Sequence, residues 1–313
     1  MDQNFEIPVF LINGFLDSGK TTFISETIAQ GQFDEAKKKL LIVCEEGETE
    51  YDEELLKKHK MDMVVLEQED FTAQKLAELD KEFDPWLVLI EYNGMWEVSL
   101  LEDMEKPFGW TIYQRITLVN AGTFELMWNN MKSMAAETIR GAEMIVFNRC
   151  EPGMGLGAFR RSVKVLNGAA QIVFENTNGE MASIAEQLPY DVNADVIEVD
   201  DSDYGIWYMD VSERPDVYKN KKVRFRGQVY KDKKGDKSFI PGRKAMTCCE
   251  ADTAFIGYVC HYKGSAQLES RQWVMVEATI QYEFQMAYRK KGPVLYADNV
   301  TLTGPAAEEL VYF

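Results

Sequence analysis

Residues Gly14 to Thr22 read GFLDSGKTT, which sets glycine, lysine and hydroxyl side chains at the spacing Gly-x-x-x-x-Gly-Lys-[Ser/Thr]. Those types at that spacing suit phosphate. Gly14 and Gly19 let the backbone bend so that successive N–H groups point inward, and such a concavity ahead of a helix N-terminus favours an anion. Lys20 would reach the outer phosphates as a point charge, and the Thr21 hydroxyl would hold Mg²⁺. The expected phosphate-contacting set is Gly14, Asp17, Ser18, Gly19, Lys20, Thr21 and Thr22. A carboxylate for the same cation stands further on: Glu91, in PWLVLIEYNG, falls at the tip of a buried strand, in reach of Mg²⁺ directly or through water. The acidic tract CEEGETEYDEELL adds Glu45 and Asp52, which would complete the Mg²⁺ shell or orient a water. A solvated loop leading into a helix accounts for most of that tract's charge.

The elements that must position these groups are legible on either side. PVFLIN (8–13) has the look of a buried parallel strand, and TTFISETIAQ (21–30) places Phe23, Ile24 and Ile28 on one helical face. LLIVC, MDMVVL, PWLVLIE, TIYQRITLVN, GAEMIVFN and AQIVFEN read as further strands. Helices are expected over 72–83, after 120 through 134, over 156–168 and over 179–188. Strands alternating with helices give a mostly parallel sheet covered on both faces, with ligands at the carboxyl ends of the strands.

Composition bounds the rest. At 313 residues and 46% hydrophobic, the chain can form two domains with substantial cores. A formal charge of −18 argues against general affinity for nucleic acid or anionic membrane. No apolar run is long enough to span a bilayer, and MDQNFEIP lacks a signal-peptide pattern. Five cysteines without regular disulfide spacing read as reduced thiols or metal ligands, so a cytoplasmic location is expected.

Several motifs in order give the first half a resemblance to the CobW/UreG/HypB group of P-loop GTPases, and most closely to its CobW-like members. GFLDSGKTT resembles that family's GFLGSGKTT loop. CEEGETEYDEELL resembles its NEFGE-x-x-x-D-x-E-L-L segment, with Glu45, Gly47, Glu48, Asp52, Glu54, Leu55 and Leu56 in place. IEYNG resembles its E-[ST]-[ST]-G element, TLVNAGTF its V-V-D-A-x-x-F stretch, and FNRCE its N-K-x-D guanine-recognition element. The resemblance covers residues 7 to 188. It implies GTP and Mg²⁺ as ligands, Lys20, Glu91, Glu45 and Asp52 as the hydrolytic set, and Asn148, Arg149 and Glu151 at the base. Asn148 would offer its amide, Arg149 keeps the lysine's charge in another shape, and Glu151 would accept the guanine N–H groups on a longer arm. GTP is favoured over ATP. The family's Cys-x-Cys-Cys metal signature is missing, since the corresponding region reads MDMVVLEQEDFTAQK.

Beyond an expected acidic linker (191–204) the pattern changes. VRFRGQVY, AFIGYVCHY, WVMVEATIQYEF and VLYADNVTLT alternate or run β-branched, and long helical stretches are missing. A small OB-like β-barrel over 205–313 is expected. This half resembles the C-terminal domain of bacterial YcgQ-type proteins, associated with a permease, through GRKAMTCCEAD (242–252), the V-x-F-x-G-x-V segment from Val223, and the closing LVYF. Cys248, Cys249, Cys260 and His261 would suit Zn²⁺ by type, although not at a standard zinc spacing; buried thiols are the alternative. The basic stretch 219–244, with Phe225, Tyr230 and Phe239 interleaved, reads as a solvated face or as a single-strand nucleic-acid face.

The expectation is therefore a two-part chain: an α/β P-loop domain (1–190) with a mostly parallel sheet, then a small all-β barrel. Its expected function is that of a Mg²⁺-dependent GTPase of the CobW-like kind, a nucleotide switch in metal handling, zinc above others. The rival from another class is a low-turnover nucleotide-dependent scaffold whose barrel recruits a permease or other protein; a single-strand nucleic-acid binder comes third. Expected partners are GTP and a metal-client protein or permease, with a homodimer open, no strong nucleic-acid signal and no membrane insertion.

Overall fold

The computed structural model describes residues 6–311 apart from 46, 48, 98, 183–187, 232–236, 247–252 and 287. The chain divides into two compact units, Met1–Ala185 and Glu186–Phe313.

The first unit is a seven-stranded, all-parallel sheet with helices in its crossovers. In chain order it holds β1 (Ile7–Asn13), α1 (Lys20–Ala29), β2 (Lys39–Val43), α2 (Glu53–Lys58), β3 (Met61–Val65), α3 (Ala73–Phe83), β4 (Leu87–Glu91), α4 (Ser99–Asp103), β5 (Trp110–Asn120), α5 (Ala121–Asn130), α6 (Lys132–Arg140), β6 (Met144–Cys150), α7 (Leu156–Leu166) and β7 (Gln171–Asn176). The sheet order is β3-β2-β4-β1-β5-β6-β7. Its middle strands are apolar throughout because both faces are covered: every residue of β2 and of β4 is buried. β1 lies between β4 and β5, so the loop after it opens at the centre of the sheet's carboxyl edge. Ile24 and Ile28 of α1 pack with Ile12, Leu41, Leu89 and Leu118 on one face, while Leu76 and Leu79 of α3 pack with Leu11, Leu40 and Ile90 on the other. The expected helix from 120 to 134 is two helices, broken at Met131, which caps both. Of the helix expected over 179–188, residues 183–187 lie outside the described residues, and 179–182 are not helical: Met181 forms an antiparallel bridge with Glu175.

The second unit holds β8 (Val196–Val199), α8 (Tyr204–Glu213), α9 (Pro215–Tyr218), β9 (Lys222–Tyr230), β10 (Ser238–Met246), β11 (Thr253–Gly257), β12 (Val259–His261), β13 (Trp273–Gln285), β14 (Lys290–Leu302) and β15 (Leu310–Val311). Five of these strands close a barrel, in the ring β9-β10-β12-β14-β13 and back to β9. Only the β12–β14 pairing within that ring is parallel. Residues 191–204, expected as a linker, belong to this unit: β8 pairs parallel to β9 and buries Ile197 and Val199.

α8 lies where no helix is expected from the sequence. Its Tyr204, Trp207 and Val211 are buried, and Trp207 lies 4.7 Å from the Phe225 ring. Their spacing of three and four is helical, and only the strand-like runs around it hid the signal. The GRKAM segment of β10 carries Arg243, which is buried against Asp201 and the Glu308 carbonyl and lies over the Trp273 ring. That residue pins the start of the unit to its end, which gives the motif a packing role.

Candidate functional site

The loop between β1 and α1 carries the strained backbone that its glycines foreshadow. Gly14 has φ 146° and Gly19 has φ 90°. A Cβ on Gly14 would stand 2.4 Å from the Leu118 carbonyl oxygen, and one on Gly19 would stand 2.7 Å from Asn148 Nδ2. Both positions therefore exclude a side chain on two counts. Gly94 excludes one as well, because its Cβ would meet Gly14 O at 2.3 Å. Its role is to let the loop after β4 lie against the first turn of the β1–α1 loop.

Asp17 also sits in the left-handed region, at φ 59°, where the family loop quoted above has glycine. It is exposed and lines the cavity beside Lys20. An anion entering there meets a like charge on a strained residue. Asp17→Gly should raise stability by up to about 1 kcal/mol and tighten phosphate binding, both read by thermal melts with and without nucleotide. A weaker binder would show that the Asp17 carboxylate takes part in ligand contact.

Lys20, Glu45, Thr21, Glu91 and Arg149 line one cavity with Asp17, Gly19 and Thr22. Lys20 is 3% exposed; its Nζ donates to Gly14 O at 2.8 Å, to Phe15 O at 3.1 Å and to the Glu45 carboxylate. Thr21 Oγ1 donates to Glu91 Oε1 at 2.8 Å, and the Tyr51 hydroxyl donates to Glu91 Oε2. Burial raises the Glu91 carboxyl above the ordinary glutamate range, against the pull of its bonds to Tyr51 and Thr21 and the charge of Lys20. Burial and the neighbouring Glu91 push the Tyr51 hydroxyl up, so it stays a donor. Tyr51 is an unexpected member of the site, and its one signal in the sequence is its place as the aromatic in an otherwise charged tract.

The expected base-recognition residues divide. Asn148 Nδ2 donates to Ser18 O at 2.7 Å, and an Arg149 guanidinium N–H donates to Asp17 O at 3.0 Å. Both reach from the end of β6 and brace the loop from outside. Asn148 Oδ1 and Ser18 Oγ are buried without a partner among the described residues. Glu151 is exposed and does not line the cavity. Asp52 is not brought to the site either. Its carboxylate caps α2, accepting from Glu54 N at 2.8 Å and Leu55 N at 3.4 Å, which corrects its expected role at Mg²⁺.

Of the expected Zn²⁺ set, the two described residues do not face one point. Cys260 and His261 are neighbours on β12 and point to opposite faces. Cys260 is fully buried in the apolar core, where burial pushes its thiol up, while His261 lies against the Tyr296 ring. Cys248 and Cys249 lie outside the described residues. Among the described residues no group of three or more His, Cys, Asp or Glu could hold a metal ion.

Among the described residues of the basic stretch 219–244, three cations on β9 are paired within the unit. Arg224 pairs with Glu198, Arg226 with Asp201, and Lys222 with Asp298, while Phe225 and Phe239 are core residues. Of the three interleaved aromatics only Tyr230 is exposed, which leaves little of the stacking surface that a single-strand face needs.

A parallel sheet with a Gly-x-x-x-x-Gly-Lys-Thr loop between its central strand and first helix defines a P-loop nucleotide-binding protein. Residues 8–174, more than half of the chain, match the CobW/HypB/UreG nucleotide-binding domain, and the chain belongs to that family of P-loop GTPases. Residues 174–313 match the DUF1980 C-terminal domain. Similar solved structures include the hydrogenase maturation factor HypB from Archaeoglobus fulgidus, at 20% identity and TM-score 0.41 over 57% of this chain and 85% of that one. The Zn(II)-bound YjiA GTPase from E. coli is similar at 18% identity and TM-score 0.41, over 82% of this chain and 90% of that one. HypB from Helicobacter pylori in complex with nickel follows at 12% identity and TM-score 0.35, over 56% of this chain and 81% of that one. No curated protein matches the chain. Among the described residues no helix is long and apolar enough to cross a membrane.

Proposed function

We propose that the chain binds and hydrolyses GTP with Mg²⁺ and acts as a nucleotide switch in the handling of a metal, zinc, from the cytoplasm. The observation that carries this reading is the Thr21–Glu91 hydrogen bond beside buried Lys20: a hydroxyl and a carboxylate, both hard oxygen donors, meet where a triphosphate would end. Those donors fit Mg²⁺, which when bound would neutralise charge developing on the transferred phosphoryl group. The orphaned Ser18 Oγ and Asn148 Oδ1 fit a ligand with donors at the loop's outer side.

In this reading Gly14 to Thr22 wraps the phosphates with backbone N–H groups, and Lys20 gives up the Glu45 carboxylate for a phosphate oxygen. Glu45, released, is placed to orient a water. Tyr51 holds Glu91 in the orientation that presents its other oxygen to Thr21. Asn148 and Arg149 fix the loop by its Ser18 and Asp17 carbonyls, and Asn148 Oδ1 is left for the base. Catalysis here is positioning and charge neutralisation. Release of phosphate from GTP that requires Mg²⁺ is the expected result of a turnover assay; equal turnover with excess EDTA would defeat the assignment.

The barrel unit we read as OB-like, from its ring of five strands closed by one parallel pair. The residues described there do not fit Zn²⁺, so a zinc site in this unit rests on Cys248 and Cys249. Cys248→Ser should lower the zinc bound per chain, measured by elemental analysis after gel filtration. Unchanged zinc would remove the barrel from the metal's path and leave a client protein or permease as its partner.

A further inference from the structure

A cavity of about 520 Å³ opens in the second unit, and none of its lining residues is among those discussed as nucleotide or metal ligands. Its wall is aromatic: Tyr208, Tyr258, Tyr282 and Tyr288 line it. Each of the last three spends its hydroxyl on backbone. Tyr258 donates to Tyr208 O, Tyr282 to Val211 O at 2.5 Å, and Tyr288 to Pro293 O at 3.2 Å while accepting from Val259 N at 2.7 Å. Tyr208 and Tyr258 stack with centroids 4.7 Å apart. The rings are thus fixed in orientation before any ligand arrives, and what they offer is ring surface.

The rim is basic. Lys219, Lys290 and Lys291 line the same cavity with Asp216 as the one carboxylate. All three lysines are exposed, and among the described residues none has a carboxylate within ion-pair distance. In a chain of net charge −18 three unpaired amines around one aromatic hollow need a reason. Among the described residues the lining has no arginine, so it lacks the planar fork that suits a carboxylate; mobile point charges suit a dianionic phosphate. The volume is that of a site for a small organic molecule.

We infer that this cavity is a second ligand site, for a small phosphate monoester that carries a ring. The ring lies against the tyrosine wall, the phosphate is held by Lys219, Lys290 and Lys291, and Asp216 accepts from a hydroxyl or amine of the ligand. The site is independent of the GTP reading, since none of its residues belongs to the P-loop unit.

Pyridoxal 5′-phosphate tests this on the full chain, because it is itself a ring-bearing phosphate monoester. Its aldehyde condenses with a lysine amine to an imine with loss of water, and borohydride then delivers hydride to the imine carbon and leaves a stable secondary amine. Peptide mapping reads which lysine was labelled and separates any label on Lys20. At low probe the label should fall on Lys219, Lys290 or Lys291 at least tenfold faster than on exposed Lys58. Pyridoxal, which lacks the phosphate, should show no such preference. Lys219→Gln should slow labelling of Lys290 and Lys291 by threefold or more. Labelling spread evenly over exposed lysines, an equal preference with pyridoxal, or no effect of Lys219→Gln would each overturn the site. Protection by a single-stranded oligonucleotide and not by phenyl phosphate would overturn the small-molecule assignment.

Discussion

Lys20→Ala should raise the Kd for GTP at least about 100-fold. Lys20 is the single cation buried against the P-loop carbonyls Gly14 O and Phe15 O, and its amine is shared with Glu45. A charge-assisted hydrogen bond contributes about 1.5–3 kcal/mol, and a lysine holding two phosphate oxygens loses two of them, where each 1.4 kcal/mol is tenfold in Kd. The same change strips Glu45 of its partner in a half-closed cavity. The variant should therefore melt at a lower temperature in the absence of nucleotide, and GTP should restore little of the loss. Titration calorimetry and thermal melts read the two effects separately. GTP binding within threefold of the parent chain would remove Lys20 from the site.

Glu91→Gln should lower turnover about 100-fold, the scale of losing one preorganised charge at a reacting phosphate, while the Kd for GTP changes by less than tenfold. The glutamine is the same size and keeps an oxygen for Thr21, so the β4 tip stays in place. What it loses is the charge that binds a cation. Single-turnover kinetics at saturating Mg²⁺ would check this, and equal rates would show that Glu91 serves only to hold Tyr51 and Thr21. A pH profile adds a second reading. Burial raises the Glu91 carboxyl, so it takes up a proton at higher pH than an ordinary glutamate. A protonated carboxyl binds a cation poorly, so turnover should fall on the acid side, with the fall beginning above the ordinary glutamate range. Glu91→Gln should lack that limb.

The P-loop was legible because its chemistry demands residue types that little else demands at that spacing: glycine where φ is positive, lysine for charge, threonine for the cation. The central strands were legible because burial on both faces leaves them apolar throughout. Asp52 was misplaced because sequence cannot tell a carboxylate aimed at a cation from one that caps the next helix, and capping, a contact between neighbours in the chain, won. Tyr51 was passed over because its partner Glu91 is forty residues away and only the sheet brings them together. Asn148 and Arg149 were recognised as a pair, yet their present use, bracing Ser18 and Asp17, depends on β6 lying near β1 across β5. In the barrel, Cys260 follows the buried-thiol alternative, since it and His261 are neighbours in sequence and opposed in space. The tyrosine and lysine cavity left no motif, since its residues come from α8, α9 and the residue after it, Tyr258 between β11 and β12, and the β13–β14 hairpin.

Titration of the full chain with GTP, and with ATP for comparison, each with and without Mg²⁺ and Zn²⁺, tests the central claim most directly. The account predicts Mg²⁺-dependent GTP binding tighter than that of ATP, with a Kd that shifts when Zn²⁺ is present, since linked ligands must change each other's affinity. Absence of nucleotide binding, or GTP affinity indifferent to both cations, would contradict it.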